Sequence, residues 1–227
     1  MYPHDISGRY LAIVEGSADV SIFSKLCSDV GIDTVDITSP EHDQHGGYGK
    51  DFFHRILEGL PVIRGFKDAK GIVMIQDSDE SSAEALKSMT DQIRSANKAL
   101  SEQGLAYGLP EQFLEPTLGK GTPSIRVLTV PWVDRTGAME SLFLDAVEAR
   151  YSEKKACLDT FVQCVGDTAS WSASKTAKMR LSCYVATLNK KNPTASMAFM
   201  LSCPPFSDLL DHEAFNQLKE FFADLPR

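Results

Sequence analysis

Through the first 130 residues, short continuous apolar runs alternate with stretches whose apolar positions recur at helical spacing. Tyr10 to Val14 is one such run, and it leads through Glu15-Gly16-Ser17 into Val20, Phe23, Ser24 and Cys27, the pattern of a buried strand followed by a helix. Ile32 to Ile37 alternates as a second strand, after which His45-Gly46-Gly47-Tyr48-Gly49 opens a helix with Phe52, Phe53, Ile56 and Leu57 on one face. Gly71 to Ile75 is a third strand that ends at Gln76-Asp77-Ser78-Asp79; an amphipathic helix over Ala83 to Leu100 follows, and Ile125 to Val130 is the fourth strand. Short apolar runs that alternate with helices predict an α/β fold, with a parallel sheet covered on both faces. Gly104 to Thr122, rich in glycine and proline, is expected to be an insertion loop or lid.

From Gly137 the pattern is helical only, over Ala138 to Arg150, Ser152 to Val165, Ser172 to Asn189 and His212 to Leu225. The expected organisation is a sheet-forming part, residues 1–136, and a helical extension, residues 137–227, that completes the site. There is no internal repeat. A chain of 227 residues with 43% hydrophobic content buries enough surface to fold without disulfides or structural metals. The cysteines Cys27, Cys157, Cys164, Cys183 and Cys203 sit mostly in apolar runs with no C-x-x-C pair, and are expected to be reduced core residues. No signal-peptide pattern opens the chain and no apolar run approaches ~18 residues, so the expectation is a soluble, cytoplasmic protein without membrane contact.

The acids at the strand ends change the picture from fold to chemistry. Ligands of an open parallel sheet bind beyond the carboxyl ends of its strands. Glu15 ends the first strand, Asp77 and Asp79 end the third, Asp19 lies one helical turn after Glu15, and Glu140 opens the helix after the fourth. One acid at a strand end ordinarily caps the next helix. Several in one crevice repel one another unless protons or a cation neutralise them, and oxygen ligands alone suit Mg²⁺ or Mn²⁺ rather than Zn²⁺.

The net charge of −8, from 23 basic and 31 acidic residues, excludes nucleic-acid binding through overall charge. It leaves room for a local basic surface. Thr168 to Ser207 contains no acid but carries Lys175, Lys178, Arg180, Lys190 and Lys191, interleaved with Trp171, Tyr184 and Phe199. Lys190 and Lys191 read as a solvated loop, whereas Lys178 lies at the N-terminal end of the stripe formed by Leu181, Tyr184, Val185 and Leu188, which predicts that it points inward. Gly46, Gly47 and Gly49 with Lys50 have the composition of a backbone nest for phosphate at a helix start. His42, His45 and His54 lack an i, i+4 pair on one helix and are expected to be solvent or loop histidines.

The strand ending in Glu15-Gly16-x-x-Asp19, followed by a strand ending in Asp77-x-Asp79, resembles the Toprim domain of topoisomerases, DnaG-type primases, RNase M5 and the overcoming-lysogenization-defect nucleases. The resemblance covers about residues 9 to 140. Gly137-x-x-Glu140 resembles the further acid of the nuclease branch, and Lys178-Met-Arg-Leu-Ser-Cys-Tyr-Val-Ala186 is similar to the K-x-[KR]-hydrophobic helix of small stand-alone Toprim proteins. The resemblance implies a Toprim-like sheet and Mg²⁺- or Mn²⁺-dependent cleavage of phosphodiesters in DNA or RNA. On it Glu15 is metal ligand and base, Asp19, Asp77, Asp79 and Glu140 are metal ligands, and Lys178 is a catalytic cation. Gly46, Gly47, Lys50, Lys175 and Arg180 would join Lys178 in holding the phosphate backbone.

The chain lacks a topoisomerase tyrosine module, a zinc ribbon and a G-x-x-x-x-G-K-[ST] loop, so any ATPase would be a separate partner, as in defence against mobile elements. Two other readings stand beside this one. Asp77-Ser78-Asp79-Glu80-Ser81 approaches the D-x-D-x-[TV] signature of haloacid-dehalogenase-like phosphatases, with Ser81 at the threonine position and on the third strand rather than the first. The other is a non-catalytic adaptor in which the acids bind metal structurally.

Overall fold

A computed structural model of the protein describes residues 5–40, 49–166, 170–204 and 206–225. Among them, strands β1 (Tyr10–Ile13), β2 (Val35–Thr38), β3 (Gly71–Asp77) and β4 (Ser124–Val130) form one sheet in the order β2-β1-β3-β4, with every pair parallel. The helices are α1 (Ser17–Asp29), α2 (Phe53–Gly59), α3 (Ser82–Leu100), α4 (Met139–Arg150), α5 (Ser152–Val165), α6 (Ala173–Leu188), α7 (Met197–Met200) and α8 (Asn216–Asp224).

Alternation along the strands divides their side chains between two cores. Leu11, Ile13, Ile72, Met74, Ile125 and Val127 pack with Phe53, Leu57, Met89 and Ile93 of α2 and α3. Ala12, Val14, Val73, Ile75, Leu128 and Val130 pack on the other face with α1, α4, α6 and α8, through Phe23, Phe143, Leu181 and Phe222 among others. Both faces are covered, which is why β1 and β3 read as near-continuous apolar runs, while the partly exposed edge strand β2 alternates. The core does not break at residue 136, because side chains of α4, α6 and α8 share one core with the strands and α6 packs on α4.

Several boundaries move for local reasons. The second strand starts at Val35 rather than Ile32, because the Ile32 N–H donates to Cys27 O and closes the end of α1. The third runs on to Asp77, since Gln76 and Asp77 still pair with Thr129 and Val130. The last helix starts at Asn216 after two short 3₁₀ turns, and the short helix α7 lies outside the helical stretches read from the sequence.

Burial also departs from the expectation at several side chains. Of the cysteines, only Cys27 is buried; Cys157 and Cys164 are exposed on α5, Cys183 and Cys203 are half-buried, and all are free thiols. Helix α5 adheres by one edge, with Leu158 its buried residue while Phe161 and Val165 face outward, so an apolar run there does not mean a core position. His54 is not in a loop: it lies in the first turn of α2, with Nδ1 2.7 Å from Gln92 Oε1. His42 and His45 lie outside the described residues.

Residues 104–122 form an insertion but not a lid. Ala106 and Lys120 bridge one another, Thr117 bridges Ile125 at the edge of β4, and Asn97 of α3 binds both the N–H and the carbonyl of Tyr107. Tyr107 itself is buried, and its hydroxyl donates to Leu57 O at 2.8 Å. Tyr107→Phe would leave that carbonyl without its buried donor, at a cost of about 1–2 kcal/mol in urea unfolding. A freely moving lid would show no change.

Candidate active site at the carboxyl edge of the sheet

Parallel pairing brings the acids to one edge. The last paired positions of β1 and β3 are Ile13 and Met74, so Glu15 comes level with Gln76 and beside Asp77. Glu15 Oε1 accepts the Asp77 N–H at 2.8 Å, and Asp77 Oδ1 accepts the N–H of Met139, the first residue of α4, at 3.1 Å. A chain of backbone donors thus connects β1, β3 and α4 through two carboxylates.

The loop after β3 is fixed just as locally. Asp79 and Gly137 exchange two backbone hydrogen bonds, of 2.7 and 2.8 Å, and the buried Ser78 hydroxyl donates to Arg135 O at 2.8 Å. Gly137 has φ +130°, and a Cβ there would stand 2.4 Å from Ser141 Oγ, so this turn requires glycine. It sets Glu140 in the first turn of α4. Asp79 does not cap α3, since Ser81 Oγ accepts the Glu84 N–H instead. Asp19 does serve its own helix, with Oδ2 accepting the Gly16 N–H at 3.1 Å.

Two lysines enter the cluster. Lys50 Nζ binds Asp79 Oδ2 at 2.8 Å, and Lys178 Nζ, from α6, stands 3.7 Å from Asp77 Oδ2 and 3.9 Å from Glu140 Oε2. Lys175, one turn earlier on α6, is exposed and lies over the Trp171 ring at 4.4 Å. Arg180 is not a phosphate ligand in this arrangement. Its guanidinium is largely buried, with NH2 2.6 Å from Glu148 Oε1 and NH1 2.7 Å from Asp159 Oδ1, and it ties α6 to α4 and α5. Gly46 and Gly47 lie outside the described residues; Gly49 immediately precedes the 3₁₀ turn of Lys50–Phe52.

The charges are unbalanced, and the carboxyls show it. Burial raises Glu15 to about 7, against the lowering effect of the Asp77 N–H and Lys50, with Asp19 and Asp79 adding to the rise. Burial also raises Asp77 well above the usual carboxylate range, reinforced by Glu15 and Glu140 and opposed by Lys178. Lys178 loses some stability as a cation by burial, but Glu140 and Asp77 more than restore it and hold its ammonium above the ordinary value. Lys50 is likewise pulled down by burial and raised overall, chiefly by Asp79.

Among the described residues, no three His, Cys, Asp or Glu side chains are gathered closely enough to enclose an ion. The donor chemistry nevertheless fits a hard cation. Glu15, Asp19, Asp77, Asp79 and Glu140 outnumber Lys50 and Lys178, and Gln76, whose side-chain oxygen is buried without a hydrogen-bond partner, lines the same edge. Gln76 had not been singled out from the sequence, where it reads as the end of an apolar strand. Its signal was a polar residue in a strand buried on both faces.

Fold and site together define an α/β protein with an acid-lined crevice at the carboxyl edge of a parallel sheet, closed by a lysine from a helical lobe. The chain belongs to the DUF3226 family, described as a protein of unknown function, which matches residues 9–227 and so spans both sheet and helical lobe. No curated protein and no solved structure matches the chain. No helix among the described residues is long and apolar enough to cross a membrane.

The raised carboxyl of Glu15 fixes a sign. Between its ordinary value of 4.5 and about 7 the folded protein keeps a proton that the unfolded chain releases, so stability is greatest below pH 4.5 as far as this group is concerned and falls as pH rises to 7. Glu15→Gln should remove up to about 3 kcal/mol of that fall, read from urea unfolding at several pH values. Asp77→Asn keeps an oxygen for the Met139 N–H while removing a charge from the cluster. It should therefore raise the thermal midpoint at pH 8 rather than lower it.

Proposed function

We propose that this protein is a Mg²⁺- or Mn²⁺-dependent phosphodiesterase of Toprim type that cleaves DNA or RNA in the cytoplasm, acting beside a separate ATPase. The observation that carries the reading is the meeting of Glu15, Asp77 and Glu140 with Lys178 at the carboxyl edge of the sheet, where two adjacent strands and two helices each contribute one group. A purely structural ion pair does not require five carboxylates against two lysines.

In this reading Glu15, Asp77 and Glu140, with Asp19 and Asp79 at the margins, hold the cation. When bound, the ion supplies Lewis-acid stabilisation of phosphate charge and a more acidic water. Glu15, whose carboxylate lies at the end of β1 beside Asp77, accepts a proton from the attacking water. Lys178, with its ammonium close to Asp77 and Glu140, stabilises the charge that builds on the phosphate oxygens. Lys50 borders the crevice, and it and the exposed Lys175, one turn before Lys178, hold the nucleic-acid strand. Arg180 acts on substrate only through the position it gives α6.

Calorimetric titration is expected to show Mg²⁺ or Mn²⁺ binding at millimolar concentration or below, with a rise in melting temperature and poor replacement by Zn²⁺. Absence of divalent binding overturns the reading. Lys178→Ala should lower single-turnover cleavage of plasmid or structured RNA about 10²-fold while metal affinity barely changes. Lys190→Ala and Lys191→Ala should change only salt-dependent substrate binding, or nothing. Hydrolysis of a small phosphomonoester with no cleavage of nucleic acid would transfer the site to a phosphatase.

A further inference from the structure

An apolar compartment of about 750 Å³ opens beside the charged crevice and has no part in the chemistry assigned above. Its floor is Ile22 of α1, Phe143 of α4, and Leu181 and Val185 of α6, all buried, and residues 193–198 wall the far side. Asp19, Glu140 and Lys178 form the boundary it shares with the crevice, so whatever fills it is connected to a group held at Lys178.

We infer that this compartment receives an unpaired nucleobase next to the scissile phosphate, without reading its identity, and that the substrate is therefore single-stranded or frayed nucleic acid rather than intact duplex. The inference rests on the phosphodiesterase reading. A duplex presents sugar and charged phosphate on its outside, and among the described residues Lys178 is the one cation lining the compartment, so a duplex gains nothing from a concave apolar wall. An unpaired nucleotide turns out a flat aromatic face. Met139, Met179 and Met197 stand around the space, and thioethers make adaptable contacts with aromatic rings.

Indifference to base identity follows from the mostly apolar lining. Ser182 Oγ and Thr194 Oγ1 each spend their one O–H within their own turn, on Lys178 O and Asn192 Oδ1, and so have none left to donate to a base edge. Apolar contact alone tolerates any base.

The test uses a single-stranded oligodeoxynucleotide carrying 2-aminopurine and the blunt duplex of the same sequence, bound to the full chain in Ca²⁺ so that the substrate stays uncut. The expected result is a change in 2-aminopurine fluorescence and binding at least tenfold tighter for the single strand than for the duplex. Ala198→Trp, which fills the compartment, should weaken single-strand binding tenfold or more, and Met179→Ala about threefold. Circular dichroism and calorimetric ion affinity should stay unchanged in both variants. Equal affinity for duplex and single strand, or a folded Ala198→Trp and a folded Met179→Ala that both bind normally, overturns the inference. So does displacement of an apolar dye from the compartment by a long-chain alkyl phosphate but not by the oligonucleotide. Binding in the expected pattern with no cutting in Mg²⁺ or Mn²⁺ supports the compartment and overturns the phosphodiesterase reading instead.

Discussion

The constraint on which the carboxyl edge depends is the hydrogen bond from the Asp77 N–H to Glu15 Oε1. Two adjacent parallel strands deliver an acid each to the same spot, and burial makes that juxtaposition costly. The backbone donors of Asp77 and Met139 fix where the two carboxylates lie despite their repulsion. The Met139 donor is also one of the unpaired N–H groups at the start of α4, so the helix end and the acid complete one another, with the helix dipole in the favourable sense. The two cores on either face of the sheet then hold the edge rigid enough for such an arrangement to persist.

Two cations offset part of the charge from two directions, and each comes with its own support. Lys50 arrives on the turn before α2 and engages Asp79. Lys178 arrives on α6, whose placement depends on Arg180. Residues two apart on a helix point about 200° from one another, so α6 directs one cation into the crevice and the other into its seam with α4 and α5. Arg180 is matched there by Glu148 and Asp159, and that seam leaves Lys178 as the crevice cation of its helix.

The difference between Lys178 and Arg180 also shows what a sequence can reveal. β1, β3 and β4 were legible as apolar runs because strands covered on both faces carry little polar alternation, the edge strand β2 was legible by its alternation, and the acids at the strand ends were legible because parallel topology sends every strand end to one side. The basic stretch Thr168 to Ser207 was legible as a charge, but not as a direction. Arg180 finds Glu148 across 32 residues, and no local pattern announces such a partner. The same limit applies to the insertion at 104–122, whose glycines and prolines describe its turns and not the buried Tyr107 that anchors it. It applies as well to α5, where apolar spacing marks a helix but not how much of it is covered.

Lys178 is where the two characters of this edge meet. Its ammonium stands near Asp77 and Glu140, while its side chain also lines the apolar compartment floored by Phe143 and Leu181. A long side chain satisfies both neighbours at once, because its methylenes cover apolar surface while its head stays among charges and water. An arginine would carry the same charge in a broad, planar fork suited to bidentate pairing, as Arg180 is used against Glu148. A compact ammonium instead serves two carboxylates nearly 4 Å away without binding either one tightly, which keeps it available to a third anion. The crevice is thus closed by a cation whose partners hold it in place but do not saturate it.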